Sequence, residues 1–430
     1  MQNVYEFIAI GAGPANLSLG AQAVERGYQP GKDFIILEKD AEISWHPGML
    51  LPGSRLDTHF AKDLVTLVNP MSRFTFLNFL VKHKRLEDFL NCGHSTPYRR
   101  DFDEYLRWVA NAIGNGIQTD TCVSEIERDE SGLYLVRYLT SDGSYKEVLA
   151  RDIVLGVGGR PKYPLGLSGD DARIIHSADF LTKIAKLEDF TEDNSILVVG
   201  AGQSAAELVK YLINTTKNNI DVAISDFGFG IKEGTAFMNE SYNGEFIDRF
   251  FDMPSETRKW FVNQRKNMNY GVVDETIING LYNDYYYDKH FERRSVSFLQ
   301  FCRAAKIETR KNQPINVHFF NHELGRNFEN QYDYVVLATG YEFSEPSRLL
   351  RNVYTNLTFE GDSLRIERDY SIHDEHGFSS GRVYMNGNVS KSHGPAQDVL
   401  SVIAHRSRDI LHSIMSDVKV EPRETVKTFG

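Results

Sequence analysis

Cysteine is scarce in this 430-residue chain: Cys92, Cys122 and Cys302 are odd in number and far apart. They form no CxxC pair and no zinc spacing, which excludes a disulfide framework and points to a reducing compartment. Long apolar runs are missing as well. Stretches such as Ile196–Val199 and Tyr334–Ala338 suit buried strands, and nothing approaches the ~20 apolar residues that span a bilayer. Positive charge is in deficit, with 48 Lys and Arg against 59 Asp and Glu, a net charge of −11. Such a surface repels phosphate backbones, so no nucleic-acid partner is expected. There is no HExxH, no P-loop and no metal-ligand spacing. No leader pattern precedes the strand-like Val4–Ile10. These absences predict a soluble, cytoplasmic protein without a membrane partner. Hydrophobic residues at 41% and charged residues at 25% are enough for a large core, and the length suggests two or three structural units.

What is present is one grammar used twice. Phe7–Ile10 is a β-branched run closed by Gly11-Ala-Gly13-Pro14-Ala-Asn16, after which Leu17, Leu19 and Ala21 fall at helical spacing. Ile196–Val199 is closed by Gly200-Ala-Gly202-Gln203-Ser204, followed by Ala205, Leu208 and Leu212. Strand, glycine turn and helix open a βαβ unit that seats a pyrophosphate on a helix N-terminus. In the first copy Asn16 replaces the third glycine, and Glu38 ends the next strand, where an acid accepts hydrogen bonds from a ribose. In the second copy the next strand ends in Ser225-Asp226, an acid that favours a free 2′-hydroxyl and hence tolerance of NADH; Lys232 could instead meet a 2′-phosphate. An ordinary structural βα turn is the plain alternative at each place.

Between and after the cradles, Ala150–Val157, Asp221–Ser225 and Gln331–Gly340 read as strands, Val383–Asn388 as a strand-to-turn junction, and Glu256–Asn267, Asp274–Tyr282 and Val399–Ile414 as helices. The tail from Val418 reads as polar and frayed. The fold class is α/β: two Rossmann-like dinucleotide-binding domains, the second inserted in the first, with a small, mostly helical substrate region. The expected boundaries are 1–185 and 331–430 for the first domain and 186–330 for the second, including a helical segment at about 236–300. The stretch from Trp45-His46 through Leu64 mixes aromatic, His and charged residues without a period, which suits active-site lining or a structural loop alike. Tyr285–Tyr287 reads as packing between domains or as an aromatic wall.

Taken together the motifs resemble the flavin-dependent N-hydroxylating monooxygenases of siderophore biosynthesis, the L-lysine N6-/L-ornithine N5-monooxygenase family. The resemblance runs from Ile8 to about Arg408. It rests on Gly11–Leu17, Trp45-His46, Lys62–Pro70, Tyr105–Val109, Gly200–Glu207, Phe237–Glu240, Asn269–Asp274, Leu337–Tyr341, Ser392–Gly394 and Leu400-Ser401. It implies FAD at Gly11, Gly13, Pro14, Asn16, Glu38, Trp45 and His46, with Thr339, Gly340 and Asn388 also on cofactor. It implies NADPH at Gly200, Gly202, Gln203 and Ser204. The chemistry implied is that of a C4a-hydroperoxyflavin formed with O2, which transfers oxygen to a primary amine, so the protein orients and desolvates. Lys62 matches the lysine that meets an α-carboxylate, Asn239 and Asn269 match substrate-binding asparagines, and Ser401 matches a serine near the same pocket. Family likeness also implies a homo-oligomer, often a tetramer.

Two departures bear on specificity. Asp57 stands where the family usually has Gln beside the flavin, and Ser225-Asp226 stands where members carry an arginine. A buried carboxylate needs a cationic partner. Asp57, the one candidate for a catalytic side chain, therefore predicts a decarboxylated substrate such as putrescine, cadaverine or histamine. L-ornithine or L-lysine is the alternative, because Lys62 is retained. A disulfide reductase lacks its two sulfurs here, and a non-catalytic NAD(P)H-sensing flavoprotein is the alternative of another class.

Overall fold

The computed structural model describes residues 3–164, 171–187, 190, 193–265, 268–292, 296–311, 313–343, 347–353, 358–360, 363–374 and 381–417. The expected frayed tail from Val418 lies outside them, as does Asn267 at the end of one expected helix. The strands of the first half are β1 (Val4–Ile10), β2 (Phe34–Leu37), β3 (Ile117–Gln118), β4 (Thr121–Arg128), β5 (Tyr134–Thr140) and β6 (Tyr145–Leu155). Next come β7 (Ile174–His176), β8 (Ser195–Val199), β9 (Asn219–Ala223) and β10 (Val296–Leu299). Then follow β11 (Cys302–Glu308), β12 (Ile315–Asn321), β13 (Arg326–Tyr332), β14 (Tyr334–Leu337) and β15 (Val383–Met385). The main helices are α1 (Pro14–Glu25), α2 (Arg99–Ile113), α3 (Gln203–Thr215), α4 (Gly244–Asp252), α5 (Ser255–Gln264), α6 (Glu275–Tyr287) and α7 (Ile403–Asp417).

The first sheet has the order β3-β2-β1-β6-β5-β4. β1 pairs in parallel with β2 and β6, while β4 and β5 close an antiparallel meander. Along the edge of β6 away from β1 two strands follow one another: its first half pairs with β5, and Ile153–Leu155 pairs in parallel with β15. β2 (Phe-Ile-Ile-Leu) is buried at all four positions, as expected of a parallel strand covered on both faces. α1 packs against α2 and α7. α2 turns Phe102, Tyr105, Leu106, Val109 and Ile113 into the core, which is the 3.6-residue stripe of a helix with one apolar face.

The second sheet is wholly parallel, in the order β10-β9-β8-β14-β7. An antiparallel sheet, β11-β12-β13, packs behind it. Every strand of this unit lies in the chain between β6 and β15, so the second Rossmann-like unit is inserted in the first. The expected boundaries of 186 and 330 are too narrow. β7 precedes 186 and β14 follows 330, yet both pair within the second sheet, Val335 against Ile174 and Leu197. Their short β-branched runs fit either sheet equally well, and only the pairing decides. Residues 236–300 are mostly helical, through α4, α5 and α6. The units also share core: Met49 and Leu51, from the loop after β2, are buried in the second unit's hydrophobic cluster. Each such side chain contributes about 1.5–3 kcal/mol.

Candidate active site at the junction of the two units

Gly11 and Gly13 close β1 at the carboxyl edge of the first sheet. Gly11 has φ +90°, and a Cβ there would lie 2.6 Å from the carbonyl oxygen of Gly156. Gly13 is the N-cap of α1, with Pro14 at the first helical position and no side-chain cap. A Cβ on Gly13 would meet nothing within 4 Å. The α1 N-terminus therefore faces open space with free N–H groups, a fit for a pyrophosphate. Glu38 stands beside it, its Oε2 accepting from the Ala12 N–H at 2.6 Å. Asn16 is a different kind of residue from the one expected. It is fully buried, donates to the carbonyls of Ile10 and Gly11, and accepts from Asn386 Nδ2 at 2.9 Å. Its side chain locks the turn to β15 and leaves nothing for a cofactor. Asn386, which Arg406 holds in turn at 2.9 Å, sits two residues before the anticipated Asn388. Asn388 is half-buried in the left-handed region, φ +56°.

In the second unit Gly202 is the N-cap of α3, and a Cβ there would come no nearer than 3.7 Å, to Gly271. Ser204 lies in the first turn. Gln203 turns inward: its amide donates to Glu207 at 2.8 Å and its oxygen accepts from the Asp274 N–H at 2.9 Å. It thereby fastens the turn 269–274 beside the cradle.

His46, Thr339 and Gly340 meet where the units touch. His46 Nδ1 lies 2.9 Å from the Tyr341 hydroxyl, His176 Nε2 lies 3.1 Å from the Gly340 carbonyl, and Thr339 Oγ1 donates to the Lys162 carbonyl at 2.5 Å. Burial, aided by the nearby Arg99 charge, pulls the His46 pKa down to about 4. Trp45 packs edge-on against Phe102, and its backbone N–H donates to Asp103. Arg99 of α2 pairs with Glu207 of α3 at 3.0 Å, both largely buried.

Three of the expected amine-binding residues, Asn239, Asn269 and Ser401, adjoin in sequence the members of one apolar cluster. Met238, Tyr242, Met268, Val399 and Val402 share it. Asn269 accepts from the Tyr242 hydroxyl at 2.5 Å and donates to the Pro395 carbonyl at 2.8 Å. Asn239 is exposed and donates to the Gly234 carbonyl at 3.3 Å. Lys62 and Tyr242 line one cleft of about 1550 Å³ that runs on between α4 and α7. Neither glycine cradle lines it, nor do Asn239, Asn269 and Ser401. Lys62 is half-buried, and its ammonium has no hydrogen bond or ion pair among the described residues. Burial and then the Lys232 charge lower its pKa. Tyr242 went unnoticed in the sequence; its position three residues after Asn239, on the same turn, was the available signal. Asp57 departs from expectation: it is 47% exposed and ion-paired with Lys232. A carboxylate already matched in this way makes no demand for a cationic substrate, and Lys232 is engaged there rather than free for a 2′-phosphate. Among Tyr285–Tyr287, Tyr285 packs on the second core, while Tyr286 and Tyr287 are exposed on α6.

Two open glycine cradles, each following a strand with parallel neighbours on both sides, and a separate cleft between α4 and α7 define a protein built for two dinucleotides and a small molecule. The family model of L-lysine 6-monooxygenase/L-ornithine 5-monooxygenase matches residues 3–343, and the chain belongs to that family of monooxygenases. It is 31% identical over 434 residues to an L-ornithine N(5)-oxygenase of Arthrobotrys oligospora, covering 96% of this chain and 88% of the relative. Among solved structures it resembles the ornithine N-hydroxylase of Kutzneria sp. 744, described with reduced FAD, NADP+ and L-ornithine. The TM-score is 0.90 at 29% identity, over 96% of this chain and 99% of that one. It also resembles the FAD-bound cadaverine monooxygenase of Erwinia amylovora, with TM-score 0.84 and 26% identity over 99% and 98% of the two chains. Among the described residues no helix is long and apolar enough to cross a membrane.

Proposed function

We propose that the chain N-hydroxylates the terminal amine of a small L-amino acid of the ornithine or lysine type, with FAD, a nicotinamide nucleotide and O2. The observation that carries this reading is Lys62: a half-buried ammonium, unpartnered among the described residues, at a cleft it shares with Tyr242. An α-carboxylate supplies the missing counter-charge, whereas a diamine brings a second cation to it. The named L-ornithine relatives favour the same substrate class.

FAD supplies the oxygen-activating chemistry when bound. Gly13, the α1 N-terminus and Glu38 would hold it, and Gly202 with the α3 N-terminus would hold the nicotinamide nucleotide. Asp226, exposed beyond the end of β9, supports acceptance of NADH, because an acid there favours a free 2′-hydroxyl. The protein's own task is to favour the deprotonated amine. An alkylammonium of pKa ~10.4 must become a free amine before its nitrogen can attack oxygen. The apolar cluster around Tyr242 and Met268 disfavours the charged form by desolvation, as burial does at Lys62.

Hydroxylamine formation measured with L-ornithine, L-lysine, putrescine, cadaverine and histamine tests this. Product from an amino acid is expected, with Lys62→Met raising its KM about tenfold or more. Product from diamines or histamine alone, or cofactor oxidation that yields only peroxide with every amine, would overturn the substrate class.

A further inference from the structure

Asp57 and Lys232 come from different units. Asp57 lies in the loop after β2, five residues before Lys62. Lys232 follows the short strand Gly230–Ile231, with its N–H fixed on the Val273 carbonyl at 2.9 Å. Their side chains pair although they are 47% and 27% exposed. A pair so exposed contributes only ~0–1 kcal/mol to stability, so stability alone gives no reason for it. Its surroundings do. Lys62 feels the charge of Lys232, and Tyr242 feels those of Asp57 and Glu233. Glu233 is itself matched by Arg265 at 3.0 Å. With Asp57–Lys232 and Glu233–Arg265 each cancelling, these groups leave one uncompensated charge, the Lys62 ammonium.

We propose that the Asp57–Lys232 pair determines substrate specificity: by neutralising Lys232 it leaves the Lys62 ammonium without a second uncompensated cation beside it, which suits a substrate bearing a single carboxylate. The assignment rests on the proposed substrate class. Asp57 acts through Lys232 and is a positioning residue; it need not touch the amine. Removing Asp57 leaves two adjacent ammonium groups, which attract an amino acid and repel a diamine. Removing Lys232 leaves a lone carboxylate, which does the reverse.

Equilibrium binding of L-ornithine, L-lysine, putrescine and cadaverine to the FAD-loaded enzyme tests this, alongside steady-state KM values. Asp57→Asn is expected to raise the amino-acid-to-diamine affinity ratio about three- to tenfold, and Lys232→Met to lower it by a similar factor. The double variant should return to within about twofold of the starting ratio, and both shifts should shrink as salt is raised. A ratio unmoved in both single variants overturns the role of the pair. So does a Lys232→Met enzyme that loses affinity for the nicotinamide nucleotide while its amine ratio stays fixed. Wild-type enzyme that binds neither amino acid would overturn the substrate class as well, which separates the two failures.

Discussion

Gly11 and Gly13 stand two residues apart and are glycine for different reasons. Gly11 has a positive φ, and a side chain there would run into the Gly156 carbonyl. Gly13 has φ −70°, open to any residue, and space around it. Its smallness serves something the chain itself does not contain. Gly11→Ala should therefore destabilise the fold by about 1–3 kcal/mol or more, visible as a lower melting temperature. Gly13→Val should leave the apoprotein's melting temperature unchanged yet purify without flavin absorbance; a Gly13→Val protein that stayed fully yellow would disprove the cradle. The glycine spacing was legible in the sequence because backbone geometry is a local property. The role of Asn16 was not, since its hydrogen bond to Asn386 spans 370 positions.

At the scale of elements, the loop from Trp45 to Leu64 joins the units. It lacks a period because its residues serve three surroundings in turn. Trp45 packs on α2, His46 bonds Tyr341, and Met49 and Leu51 enter the second core. His46 titrates near 4 in the folded chain against ~6.5 unfolded. The unfolded chain thus takes up a proton first, and stability falls as pH drops from about 6.5 to about 4, by up to ~3 kcal/mol from this group. Above 6.5 the contribution is complete. Acid unfolding curves for wild type and His46→Asn, a residue that tolerates the left-handed φ of +52°, should differ in slope within that window and run parallel above it. Equal slopes throughout would remove His46 as the source.

At the scale of the whole molecule, polar contacts join the two cores, and among the described residues Arg99–Glu207 is the most enclosed ion pair that bridges them. Removing one partner of a buried pair costs about 3–5 kcal/mol, because the other charge is left in low dielectric. Gln203, which also donates to Glu207, should reduce that loss. Arg99→Met is expected to lower the melting temperature and to split one calorimetric transition into two as the units uncouple. A single transition at the wild-type temperature would show that the shared apolar packing holds the units together by itself.

By itself the sequence determined the two glycine turns, the short β-branched runs that become parallel strands, the inserted arrangement and the family likeness. Each follows from local backbone freedom and from hydrophobic periods read over a few residues. Only the tertiary structure decided that β7 and β14 join the second sheet, that Gln203 and Asn16 face inward, and that Asp57 already has a cation in Lys232. The physical reason is common to all three. A strand's apolar pattern is satisfied by either sheet, and an amide or a carboxylate is satisfied by whichever partner the fold brings near. For Asp57 that partner lies 175 positions along the chain. Lys62 has no such partner among the described residues, and the proposed amino-acid substrate would supply it.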